Sequence, residues 1–150
     1  VAILFWGEGD WTFVEGLNMK WGRILLVAVG LAFTPYGVLC LVSPQSVADY
    51  TGMTLPNPSA LTEVAGMYGG LQIGLGLFFF FLAFRKQTVP TGLTILMVLL
   101  GSLALGRAYG LFAYGFSTYN FMALIFEGVS TSLAFMTLRL IGREAKADAA

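Results

Sequence analysis

Four long apolar runs dominate the chain, over approximately 24–42, 61–84, 93–116 and 119–141. Each is continuously apolar rather than alternating. A bilayer core of about 30 Å takes about 20 residues of helix but only about 10 of tilted strand, so the pattern predicts helices, not a barrel. The expected fold is all-α: a polytopic membrane protein built as a four-transmembrane-helix bundle over 19–150. Residues 1–18 break the pattern. Val1 to Trp6 is too short to span, and the stretch after it mixes Glu8, Asp10 and Glu15 with Trp11 and Phe13. It is expected to be an N-terminal extension outside the bundle, either a surface tail or an aromatic strap on a neighbouring subunit. Met19-Lys20-Trp21-Gly22-Arg23 then opens the first membrane helix with a basic flank and an interfacial tryptophan.

Between the first two runs the punctuation is local. Ser43-Pro44 stops the first helix and starts a short external half-helix near 45–51, which Gly52 ends. Asn57 as N-cap with Pro58 at the first helical position opens the second spanning helix. The basic residues give orientation. Lys20, Arg23, Arg85, Lys86, Arg139, Arg143 and Lys146 all fall on one side of the predicted bundle. The positive-inside rule assigns that side, with both termini, to the cytoplasm. The expected location is a bacterial cytoplasmic (inner) membrane, crossed several times.

Composition agrees and narrows the chemistry. Hydrophobic residues make up 57% of the chain and charged residues 11%, with a mean hydropathy of +0.81. No histidine is present, so imidazole ligation of haem, zinc or copper and histidine proton switching are unavailable. The single cysteine, Cys40, has no partner for a disulfide or a dithiol pair and reads as a small apolar packer. No metal or cofactor is expected; lipid, pigment or quinone contacts stay open. Membrane lipids and other membrane subunits are the expected partners, in a homo- or hetero-oligomer, and not nucleic acid.

Arg107 is the exception within these runs. A guanidinium in a membrane helix costs about 2.5–3.5 kcal/mol on insertion scales and needs a partner. Glu63 and Glu127 are the candidates. At 1.5 Å per residue, Glu63 lies about 9 Å in from the external end of its helix, and Arg107 and Glu127 about 12 Å in from theirs. The three are expected to form one buried charge cluster. The stripe of Glu63 carries Gly66, Met67, Gly70 and Gly74; that of Glu127 carries Ala123, Ser130, Thr131 and Ala134; and Arg107 sits beside Ala104, Gly110 and Tyr114. Two small-residue ladders, Gly66/Gly70/Gly74 and Ser102/Gly106/Gly110, predict close helix packing, inside the bundle or, for one of them, on an outward face that meets another subunit. Gln72, nearly opposite Glu63 with Tyr68 on its stripe, faces elsewhere. Tyr68, Gln72, Tyr109 and Tyr114 are candidate polar support.

The segment from Glu63 to Gly76, with Gly106-Arg107-Ala108-Tyr109-Gly110-Leu111 and the glutamate of the fourth run, resembles a bacterial family of small four-helix membrane proteins carrying a domain of unknown function. More distantly it is similar to DoxX-like proteins. The resemblance covers about 19–141 and implies the same bundle, with Glu63, Arg107 and Glu127 as its shared polar set. Family members often carry a basic residue where this chain has Ala65. Two carboxylates against one guanidinium predict different roles, Glu127 as the paired member and Glu63 as the titrating one. The cluster serves as a structural lock or as a site for a proton or polar ligand.

Three functions fit. The first is a non-catalytic accessory or structural subunit, or assembly factor, of a larger membrane complex, favoured by small size, short loops and aromatic faces such as Phe78 to Phe81. The second is a small-molecule or proton-coupled transporter or binding protein using the Glu-Arg-Glu cluster. The third is a DoxX-like quinone-linked redox protein. No catalytic residue is assigned.

Overall fold

The computed structural model describes residues 16–147, and these residues form helices joined by short turns. The predicted extension therefore lies outside the described residues except for its end, where Leu17 and Asn18 already belong to the first helix. That helix, α1 (Leu17–Val42), is followed by the short α2 (Pro44–Thr51), then α3 (Pro58–Phe84), α4 (Val89–Tyr114) and α5 (Thr118–Ala147). Four of them, all but α2, are long and apolar enough to cross a membrane. The apolar runs set these helices, while their caps set the ends. Gly52 closes α2 at φ +75°, a conformation that disfavours a side chain, and the Asn57 side chain accepts the Ala60 N–H at 3.0 Å to open α3.

The helices pack as two antiparallel hairpins, α1 against α3 and α4 against α5, with α1 also touching α4 and α5. Glycines decide how α1 and α3 meet. A Cβ at Gly30 would lie 3.0 Å from the Gly76 carbonyl oxygen, and one at Gly37 2.8 Å from that of Gly69. Gly30 and Gly37 thus face Gly76 and Gly69 across the contact, and the two backbones come close enough to touch. Within α3, residues Val64–Gly70 are wound as a π-helix, in which the Leu71 N–H reaches back to the Gly66 carbonyl. Such segments shift the helical register and recur at functional sites.

The molecule has two unequal halves. In the near half, where the described chain begins and ends, Leu26, Val29, Phe79, Leu93, Leu96 and Leu100 form a closed core drawn from α1, α3 and α4, with Ala134 added from α5. The far half, bearing α2, has a smaller core of Cys40, Val47 and Val64 that ties α2 to α1 and α3. There the outer end of α4 stands apart, with Phe112 92% and Tyr114 84% exposed.

The basic side chains line the near end. Arg23 Nε donates to the Ala83 carbonyl at 2.9 Å, while Arg85 and Arg139 lie over the rings of Phe81 and Phe135. The Asn18 amide donates to the Glu144 carboxylate, joining the start of α1 to the end of α5.

Candidate functional site

The far half of the α4–α5 hairpin holds the polar site. Arg107 projects from α4 toward α5, where its Nε donates to Glu127 Oε1 at 2.7 Å and its Nη1 to Asn120 Oδ1 at 2.7 Å. Asn120 and Glu127 are seven residues apart, two helical turns, and so share one face of α5. The guanidinium lies across that face, held at both ends. Charge-assisted bonds of this length, made away from bulk water, are the strong kind. The partners differ in burial. The Glu127 side chain is 6% exposed, whereas that of Arg107 is 27% exposed.

That exposure opens onto a groove of about 550 Å³ running along α4 to the α4–α5 turn. Ser102, Gly106 and Gly110 line it from α4 and Asn120 from α5, with Tyr114 and Ser117 near its rim. Inside the protein, Glu127 Oε2 and Thr131 Oγ1, one turn apart on α5, are buried without a hydrogen-bond partner. The site can therefore present donors outward, from a guanidinium with more N–H groups than its two bonds use, and acceptors inward. Among the described residues no group of His, Cys, Asp and Glu side chains is arranged to hold a metal ion.

Three expectations need correction. Glu63 does not join Arg107 and Glu127: its side chain is exposed on α3. The second spanning helix turns its Gly69/Gly76 row, not its Glu63 row, toward α1. The ladders Gly66/Gly70/Gly74 and Ser102/Gly106/Gly110 are not internal packing faces either. A Cβ at Gly66, Gly74 or Gly106 would meet nothing within 4 Å; at Gly70 it would meet only the Ala65 carbonyl of its own helix, and at Gly110 only Tyr114. Ser102 is exposed and bonds back to the Val98 carbonyl of its own helix. Finally, none of the candidate polar supports bonds the Arg107 pair. Tyr109 and Tyr114 stack edge to face on the outside, Tyr68 packs against the far core, and Gln72 lies half-buried with its Oε1 unpartnered.

Two polar features were missed. One is Asn120, whose seven-residue spacing from Glu127 was a readable signal. The other is a hydroxyl pair, Tyr36 with Tyr119 at 2.8 Å, joining α1 to the start of α5. Nothing in the sequence pattern marks that contact, which depends on how the two hairpins lean together.

No curated protein and no solved structure matches the chain. The model of a domain of unknown function, DUF4345, matches residues 22–138. That span takes in α3 and α4 whole, most of α1 and α5, and the whole Arg107 site, but the match gives no link to DoxX-like proteins. The chain belongs to the DUF4345 family.

Proposed function

We propose that this protein is a non-catalytic subunit of a larger membrane assembly, held in the bacterial inner membrane with both chain ends on the cytoplasmic side. The observation that carries this reading is the pair of open small-residue rows on α3 and α4. Lipid tails give apolar helices no hydrophobic reason to associate, so helix contact in a bilayer depends on close backbone approach, which rows of glycine and serine permit. In α1 and α3 the glycines that meet each other are already used. Those at Gly66, Gly74 and Gly106 are not, and they suit the helices of another chain.

Extraction in a mild detergent, followed by sizing and mass identification, tests this. Co-migration with further chains, or a mass well above the 16.2 kDa of one copy, is expected. A single copy that stays alone at native membrane density would overturn it.

A second reading, a membrane binding protein for a small polar ligand, is supported by the groove over Arg107 and by the unpartnered Glu127 Oε2 behind it. A DoxX-like redox role rests on distant resemblance alone.

A further inference from the structure

We infer that the groove over Arg107 receives Glu63 from a second copy of this chain. The inference rests on the assembly reading above and names the partner. The receiving side is built. Arg107 is fixed by Glu127 and Asn120, yet more than a quarter of its side chain remains open to a groove that also offers the Asn120 amide and the Ser117 and Tyr114 hydroxyls. These groups are mainly donors, and a carboxylate is the side chain that only accepts.

The incoming side is equally distinct. Glu63 is exposed on a membrane helix with no hydrogen bond or ion pair to any described residue. A carboxylate there is costly unless it meets a donor or reaches the headgroups. It stands about 8 Å in from Pro58, and Arg107 about 12 Å in from Gly115, within one turn of the same level by helical rise. The guanidinium also reaches outward to Asn120, near the start of α5, which narrows the difference.

The surroundings allow the approach. Below Glu63 the α3 face continues through Gly66 and Gly70, and below the guanidinium the α4 face continues through Gly106 and Ser102, with open space where side chains would stand at Gly66 and Gly106. Set antiparallel, Gly66 comes opposite Gly106 and Gly70 opposite Ser102. Because the two faces belong to different helices, the contact is head to tail; repeated, it makes a ring where the rotation between copies closes and an open row where it does not. Glu63, Arg107 and Glu127 then meet across a subunit boundary rather than within one chain.

Cysteine cross-linking in native membranes tests the register. In a Cys40→Ala background, differently tagged Gly66→Cys and Gly106→Cys chains are co-expressed and oxidised with copper phenanthroline. A mixed disulfide dimer is expected, with neither variant linking to itself. Adding Glu63→Gln should lower the mixed product by about fivefold, the loss of roughly one charge-assisted bond.

Self-linked Gly66→Cys or Gly106→Cys dimers in place of the mixed one would indicate a two-fold contact and overturn the inference. So would a Glu63→Gln product equal to the parent. If no disulfide forms while sizing still shows an assembly, the inference fails and the proposed function stands. If sizing shows one copy alone, both fail.

Discussion

The near and far halves of this molecule use the same residue types for opposite ends. In the near half leucine, valine and phenylalanine from α1, α3 and α4 close around one another, with Leu93, Leu96 and Leu100 fully buried. In the far half α1 and α5 still meet at Tyr36 and Tyr119, but the outer end of α4 stands apart and exposes Tyr109, Phe112 and Tyr114, and the one ion pair among the described residues that ties α4 to α5 stands beside an open groove. Glycine adds a second division, by helix face and not by half. Gly30, Gly37, Gly69 and Gly76 sit backbone to backbone, whereas Gly66, Gly74 and Gly106 face empty space. Stability is concentrated where the four spanning helices converge, and the surfaces left for other molecules lie where they do not.

The sharpest way to break this contrast is to fill glycines of each kind. Gly37→Leu forces a side chain to within 2.8 Å of the Gly69 carbonyl oxygen and the Ile73 nitrogen, both backbone atoms that cannot rotate away. A loss of about 3 kcal/mol or more, or failure to fold, is expected in denaturant unfolding from detergent micelles. Gly106→Leu in the same assay should stay within about 0.5 kcal/mol of the parent, since nothing surrounds it in one copy. Equal losses at the two positions would end the distinction between used and open glycines.

Cavity formation gives the next largest effect. Leu96→Ala empties a fully buried site in the near core and should cost about 2–4 kcal/mol, while Phe112→Ala, at the exposed end of α4, should leave the unfolding midpoint of the isolated protein nearly unchanged. A large cost at Phe112 would mean that the far half is packed more tightly than its exposure implies.

Removing Arg107 probes the ion pair. Arg107→Ala leaves Glu127 buried with neither oxygen paired, and a loss of about 2 kcal/mol is expected, below the figure for fully buried pairs because the guanidinium is partly open. Glu127→Gln keeps an oxygen that can accept from Arg107 Nε, so it should cost less. Thermal unfolding of the two variants side by side checks the order, and a greater loss for Glu127→Gln would contradict it. The smallest effect is expected at Tyr36→Phe, which removes one hydroxyl contact to Tyr119 and should cost about 1 kcal/mol.

Much of the architecture is legible in the chain. The apolar runs, Pro44 with Gly52 and Asn57 with Pro58 mark the four spanning helices and the short one between them, and the structure starts and stops helices at those signals. Helix rise also brings Arg107 near Glu127. The choice of face on α3 was not legible, because two glycine rows run through the same turns: Gly66/Gly70/Gly74 and Gly69/Gly76. The matching seven-residue spacing of Gly30 and Gly37 on α1 was the clue that favours the second row. Glu63 goes with the first row, which the fold leaves on the outside.

By itself, then, the sequence determined how many spanning helices form, where the turns between them fall, and which polar groups lie deep enough in the membrane to need partners. Those properties follow from chain-local quantities: hydropathy, caps and a fixed rise per residue. Only the tertiary structure decided which side of each helix is turned inward and which acceptors Arg107 reaches. Helix rotation is set by the close approach of whole backbones, at Gly30 with Gly76 and Gly37 with Gly69, and a stripe of small residues reads the same whether it meets a neighbour or awaits one.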